Sequence, residues 1–375
     1  MVNQFKQRQR LWTRIFTTLR QSAKKSAKIW VPASTIAGCI IGLRSTGALQ
    51  SWELGSLDFF FRQRPIESVD DRIVIVGIRE EELQRYNWPL SDHTLARLLQ
   101  EIQSAQPRAI GMDIYRDVPV RDGHRELVKA FRTMPNLIGI RQMPDPEGQG
   151  VAPPPELERL EQVGFNNVVY DPDRKIRRAL LYWFDSDKRQ YRSFAMELAL
   201  LYLKQRGIQE EGAKHDRGQL QLGQAVFQRF QGNDGVYVNA DPGGYQILSN
   251  FRGGAGHFHT VSMQDIMDGK ISPSQLRDRI VLIGSFAPSL KDFAATPFTG
   301  SIKRPSESVP GVEVQANIIS EILSATLDHR PLLKSWGESI EFVWIWAWAL
   351  LGTSVSWQLR LPQRNFIAVL VIGGG

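Results

Sequence analysis

Cysteine is nearly missing from this chain: Cys39 is the single one in 375 residues. No disulfide can form within the chain, and a fold of this length has enough core to do without one. Acidic residues are missing from the first 50 positions, which hold nine Lys and Arg. Charge of either sign is missing from Ile29 to Leu43, and Glu341 is the only charge between Ser339 and Leu359. The net charge of +7 is therefore carried by the ends, and the stretch between is mildly acidic. That distribution excludes a folded nucleic-acid binder, which needs its basic residues clustered on the globular surface.

Catalytic signatures are also lacking between the two apolar segments. No G-x-S-x-G, H-E-x-x-H or Ser-x-x-Lys pattern stands out there. The RGGAGHFH run at 252–259 is not a phosphate loop, because no Gly-Lys-Ser/Thr follows. His257 and His259 would share one side of a strand, but no third metal ligand can be located for them. Asp171-Pro172-Asp173 lacks the spaced oxygens and final Glu of a calcium loop and reads as a turn. No cofactor and no metal are expected.

What is present divides the chain. Residues 1–28 place Leu11, Trp12, Ile15, Phe16 and Leu19 on one helical face among lysines and arginines. They form either a basic amphipathic helix suited to an anionic leaflet or an unstructured basic tail. Residues 29–49 are expected to cross the membrane, with Arg44 reaching the far headgroups. A signal peptide cut after Ala48 is the alternative. Residues 339–359, set among Trp336, Trp344, Trp346, Trp348 and Trp357, form a second span with aromatic anchoring. Arg360 and Arg364 follow it on the same side as the basic amino end, which puts 52–332 across the bilayer. Residues 366–375 read as the start of a further span, and the chain is expected to be truncated there.

Within 52–332, Arg72–Ile78 reads as a buried strand. Glu80–Tyr86 reads as a short helix, and Ser91 caps another whose inner face is Leu95, Leu98, Leu99 and Ile102. Ala109–Ile114 is the next strand, so the pair makes a βαβ unit. Helix 123–134, strand 137–140, strand 176–184, helix 193–205 and strand 245–251 follow, with hairpins and loops over 207–245. Asp145–Glu156 is a proline-rich surface loop. Ile280–Ile283 is a strand buried on both faces, and a helix begins after Pro310-Gly311 with Val312, Ala316, Ile319 and Leu323 on its apolar face. Ligands of open α/β sheets sit beyond the carboxyl ends of strands. The candidate ligand-binding residues are accordingly Asp113, Arg116, Asp117, Ser285, Lys291, Asp292, Thr296 and Glu313. Each has the alternative role of fixing a loop or capping a helix.

The order "buried strand, IG, small loop, KD, TP, long loop, PGVE, helical ANII" over 280–319 resembles the second family of CHASE domains, the sensory extracellular domains associated with cyclases and histidine kinases. LGSLDFFFRQRP at 54–65, the Asp113 position and GFNNVVYDPDRKIRR at 164–178 are similar to the same family. Arg79 stands where the family has an acid, followed by Glu80, Glu81 and Glu82. The resemblance implies an α/β fold: a mostly parallel central sheet flanked by helices, built as an extracytoplasmic sensor domain with flanking transmembrane helices. It implies no enzymatic activity in this stretch, a small-molecule or peptide ligand, a homodimer in a bacterial inner membrane, and a cytoplasmic output domain or partner that this chain does not contain. An extracytoplasmic hydrolase and a membrane scaffold without a small-molecule ligand are the alternatives.

Overall fold

The computed structural model describes residues 27–144, 148–300 and 308–358. The amphipathic segment expected over 1–28, apart from its last two residues, lies outside the described residues. So do residues 145–147 of the proline-rich loop, Arg360, Arg364 and the apolar run 366–375. The chain divides into two compact units. One takes in residues up to Ser56, Gly232–Ala240 and Ser335 onward; the other takes in Leu57–Gln231 and Asp241–Lys334.

In the first unit, a helix over 27–45 (α1) packs on α10 (Glu338–Gln358) through Ala33, Ala37 and Ala349. Small side chains let two helix backbones approach closely. Trp30 and Trp346 meet at 4.9 Å, and the Trp346 indole N–H donates to the Ser34 hydroxyl. Arg44 departs from the expectation of a side chain reaching headgroups. Its guanidinium instead bonds Glu53 at 3.0 Å, Glu341 at 2.7 Å and the Gly235 carbonyl. Two facing carboxylates hold a guanidinium more firmly than water does. Among the described residues α10 is the one helix long and apolar enough to cross a membrane. Val343, Trp344, Trp348 and Leu351 are exposed along it. Of the two segments expected to span, 339–359 coincides with such a helix by length and composition; α1 is helical but does not meet the same measure.

The second unit is built on six parallel strands: β1 (Ile73–Ile78), β2 (Ala109–Met112), β3 (Leu137–Arg141), β4 (Val163–Phe165), β12 (His259–Ser262) and β13 (Ile280–Ser285). Their order across the sheet is β12-β1-β13-β2-β3-β4. Alternate side chains feed two cores, as the period of a strand requires. Ile73 and Ile75 join the core under α7 (Phe194–Lys204) and α9 (Gly311–Leu327). Val74, Val76 and Ile78 join the core under α4 (Asp92–Ser104), α5 (His124–Thr133) and α8 (Met263–Met267). The predicted fold class, a mostly parallel sheet between helices, is the one observed. The βαβ pairing differs in one respect, because β13 lies between β1 and β2. The Ser91 hydroxyl does cap α4, accepting from the Thr94 N–H at 3.2 Å.

Smaller elements complete the unit. They are α2 (Gln50–Gln63), whose residues from Leu57 onward belong here, α3 (Glu80–Tyr86) and α6 (Pro155–Arg159). An antiparallel sheet joins β5 (Val169–Tyr170), β6 (Ile176–Phe184), β7 (Gln190–Arg192) and β11 (Tyr245–Leu248). The irregular 207–245 stretch resolves into β8 (Glu210–Gly212), β9 (Leu220–Leu222) and β10 (Ala225–Phe227). β14 (Phe293–Ala294) pairs with β15 (Val309–Pro310).

α9 is buried on every side. Its polar face is not solvated: Glu313, Gln315, Asn317, Ser320, Glu321 and Ser324 are all buried. Glu313, Asn317 and Glu321, spaced by four, stand in one row on a helix. Each accepts backbone N–H groups of the 250–258 loop: Glu321 from Asn250, Asn317 from Arg252, and Glu313 from Gly256, His257 and Phe258. Buried loop N–H groups need acceptors, and this row supplies them. A Cβ on Gly253 would come within 2.3 Å of the His257 ring.

Candidate functional site

The carboxyl ends of β2, β4 and the loop after β13 bring two carboxylates into one mouth. Asp113 follows β2 directly, and its N–H donates to the Ile283 carbonyl of β13 at 2.9 Å. Its Oδ1 accepts from the Asn166 side chain at 3.3 Å, just beyond β4. The Tyr115 hydroxyl donates to Asn166 Oδ1 at 2.9 Å, and the Gln315 carboxamide donates to the Asn166 carbonyl at 3.3 Å. Asp292 closes the ring. Its carbonyl accepts from the Gly311 N–H at the start of α9. Its carboxylate lies so close over Gly311 that a Cβ there would be 2.4 Å from Oδ1.

The electrostatics follow from that arrangement. Burial, reinforced by the charge of Asp292, pushes the Asp113 carboxyl up to about 7. Asp292 and Tyr115 sit at the exposed rim of the mouth, where partial desolvation still raises the Asp292 carboxyl and pushes the Tyr115 phenol up to about 12. Among the described residues neither carboxylate has an ion-pair partner. The mouth therefore offers acceptor oxygens and a poised proton, ringed by carboxamides and a phenol.

The other candidates lie elsewhere or are occupied. Arg116 turns to the start of α4, where its Nη1 is 3.4 Å from Asp92 Oδ1. That guanidinium is buried without a hydrogen bond among the described residues, and desolvation lowers its pKa despite Asp92. Asp117 and Lys291 are exposed, Lys291 with left-handed backbone at φ 55. The Ser285 hydroxyl accepts from the Ala287 N–H at 3.2 Å and so turns the loop. The Thr296 N–H donates to the Thr299 hydroxyl, while its own hydroxyl is buried and unbonded among the described residues. Glu313 is raised by burial, although three backbone N–H groups pull it down. Sequence reasoning missed Tyr115, Asn166 and the contact of Gln315. Asn166 sits in the GFNN motif, so the signal was available there.

A second polar feature was also missed. Asp171 and Asp173 form the expected turn, but Asp171 is buried. It bonds Arg177 at 2.9 Å and Arg178 at 2.9 Å. Arg177 reaches onward to Asp58 on α2 through Nε at 2.7 Å and Nη2 at 2.9 Å, and Lys175 meets the same carboxylate at 2.6 Å. Arg62 donates to the Pro297 carbonyl and Arg64 to Asn250. The D, R and RP motif of 54–65 is thus a docking device for this end of α2.

The family profile described as the CHASE2 domain matches residues 35–354. No curated protein and no solved structure matches the chain.

Proposed function

The chain belongs to the CHASE2 domain family, the sensory extracellular domains of signal-transduction receptors, and on that premise we propose that it is the ligand-sensing input module of a membrane receptor. The profile's match indicates a sensory rather than a catalytic family. The observation that carries the site is the couple Asp113 and Asp292, without an ion-pair partner among the described residues, at the carboxyl end of a parallel sheet, where α/β folds bind ligands. In this reading the ligand brings hydrogen-bond donors or positive charge to those acids. Tyr115, Asn166 and Gln315 orient it. Ser285, Thr296 and Glu313 hold the surrounding loops, while Arg116, drawn to Asp92, and the exposed Asp117 and Lys291 take no part in the contact.

Residues 29–49 and 339–359 cross the membrane, 52–332 faces outward, and the receptor works as a homodimer that signals to a cytoplasmic output domain or partner. Ligand shifts the receptor by favouring one of two arrangements of the domain. The Asp58–Arg177 docking ties the end of α2 to the sensor. The test is a thermal-shift screen of small molecules and short peptides on the full chain in lipid nanodiscs. A stabilising compound whose effect disappears in Asp113→Asn and Asp292→Asn, but persists in Lys291→Ala, supports the mouth. A compound indifferent to both acids refutes it.

A further inference from the structure

Away from the mouth, a cavity of about 830 Å³ opens beside edge strand β4, between the first turn of α7, the β6–β7 hairpin and β8. That size lies in the range of small-molecule sites, about 300–1,000 Å³. Tyr182 and Tyr245 line it, their rings edge-to-face at 5.7 Å. The Tyr182 hydroxyl donates to Glu210. Arg192 is held between two acids: Nε and Nη2 bond Glu210 at 3.1 and 2.6 Å, and Nη1 bonds Glu197 at 3.3 Å. This guanidinium is committed to fixing carboxylates and offers little to an incoming anion. At the rim, Arg141 is likewise committed, to Glu158 at 2.7 Å and to the Tyr191 ring.

The lining counts five glutamates against three arginines. Glu161, Glu211 and Arg217 have no ion-pair partner among the described residues, and the lining as a whole keeps a surplus of two acids. We infer that this cavity is a second ligand site, distinct from the strand-end mouth, and that it takes a small organic cation, an amine whose body packs on the exposed Phe184 ring of the lining and whose ammonium group meets Glu161 and Glu197. Carboxylates joined to aromatic faces are the usual surroundings of a desolvated ammonium group. A divalent metal would gain nothing from the ring, and an anion would meet the acidic surplus.

The test is isothermal titration of the full chain in nanodiscs of zwitterionic lipid, with spermidine, magnesium chloride and succinate as separate probes. Spermidine is expected to bind saturably below about 10 mM and to weaken about tenfold or more in Glu161→Gln and in Glu197→Gln. Glu161 is exposed, so its variant reports on binding and not on folding. Asp113→Asn, at the other site, is expected to leave spermidine binding unchanged. The inference is overturned if succinate binds in place of spermidine, if magnesium competes at equal concentration, if neither glutamine variant weakens binding, if Asp113→Asn abolishes it, or if no saturable binding occurs.

Discussion

Removing the Arg177 guanidinium by Arg177→Met tests the ionic network that docks α2. The side chain is buried, and its hydrogen bonds run to Asp58, Asp171 and Asp173, the closest at 2.6 Å to Asp173. These three acids hold the guanidinium firmly protonated against the burial that opposes its charge. Methionine keeps the volume but not the charge. Asp171 would retain Arg178, and Asp58 would retain Lys175 alone. Breaking a buried ion pair from one side costs about 3–5 kcal/mol, because the other charge stays behind. Asp173 is partly exposed and recovers solvation, which favours the lower end of that range. For a unit of this size a loss of about 3 kcal/mol lowers Tm by roughly 6–12 °C, at about 2–4 °C per kcal/mol. Scanning calorimetry of the full chain in nanodiscs reads it directly. The double variant Asp58→Asn/Arg177→Met is expected to cost less than the two single changes together, since it removes both sides of one interaction. A fall below about 2 °C for Arg177→Met, or strict additivity in the double variant, would refute the reasoning.

Two further outcomes concern the mouth and the buried helix. In the folded chain Asp113 keeps its proton up to about pH 7, whereas an unfolded aspartate releases it near 3.8. Unfolding therefore releases a proton between those values, and this group's contribution to stability falls as pH rises through that window, then stays level. Asp113→Asn is expected to gain roughly 1–3 kcal/mol over the parent at pH 8, shrinking towards pH 4, in urea denaturation at each pH; a difference independent of pH would count against it. Glu313→Gln, which turns an amide group towards the Gly256, His257 and Phe258 N–H donors, is expected to cost about 1–3 kcal/mol and to speed hydrogen exchange at the His257 amide. Unchanged exchange there would show that Glu313 does not hold the loop.

The legible parts of this fold are those whose causes are local. The β-branched runs of β1 and β13 declared buried strands, and Ser91 before Leu95, Leu98, Leu99 and Ile102 declared a capped helix. α9 was half legible. The spacing of four between Glu313, Asn317 and Glu321 stands in the sequence, but the N–H groups it serves lie some 60 residues earlier. Arg177 and Arg178 were similarly opaque, since a strand with two arginines reads as solvated until acids from α2 and the 171–173 turn cover it. At the mouth, Asp113 and Asp292 were both visible as strand-end acids. Their sharing one site depends on β13 lying next to β2, which chain order does not reveal. Arg116, only three residues from Asp113, is drawn off by Asp92, a contact set by how the 116–123 loop returns to α4.

The outward placement of the sensor is tested most directly by labelling a single cysteine. Cys39 is the only native one, so Cys39→Ala gives a clean background. Asp187→Cys then puts a thiol in the exposed turn between β6 and β7. Intact cells expressing this variant are treated with a membrane-impermeant maleimide. The account predicts labelling without permeabilisation; labelling that requires the membrane to be opened would contradict it.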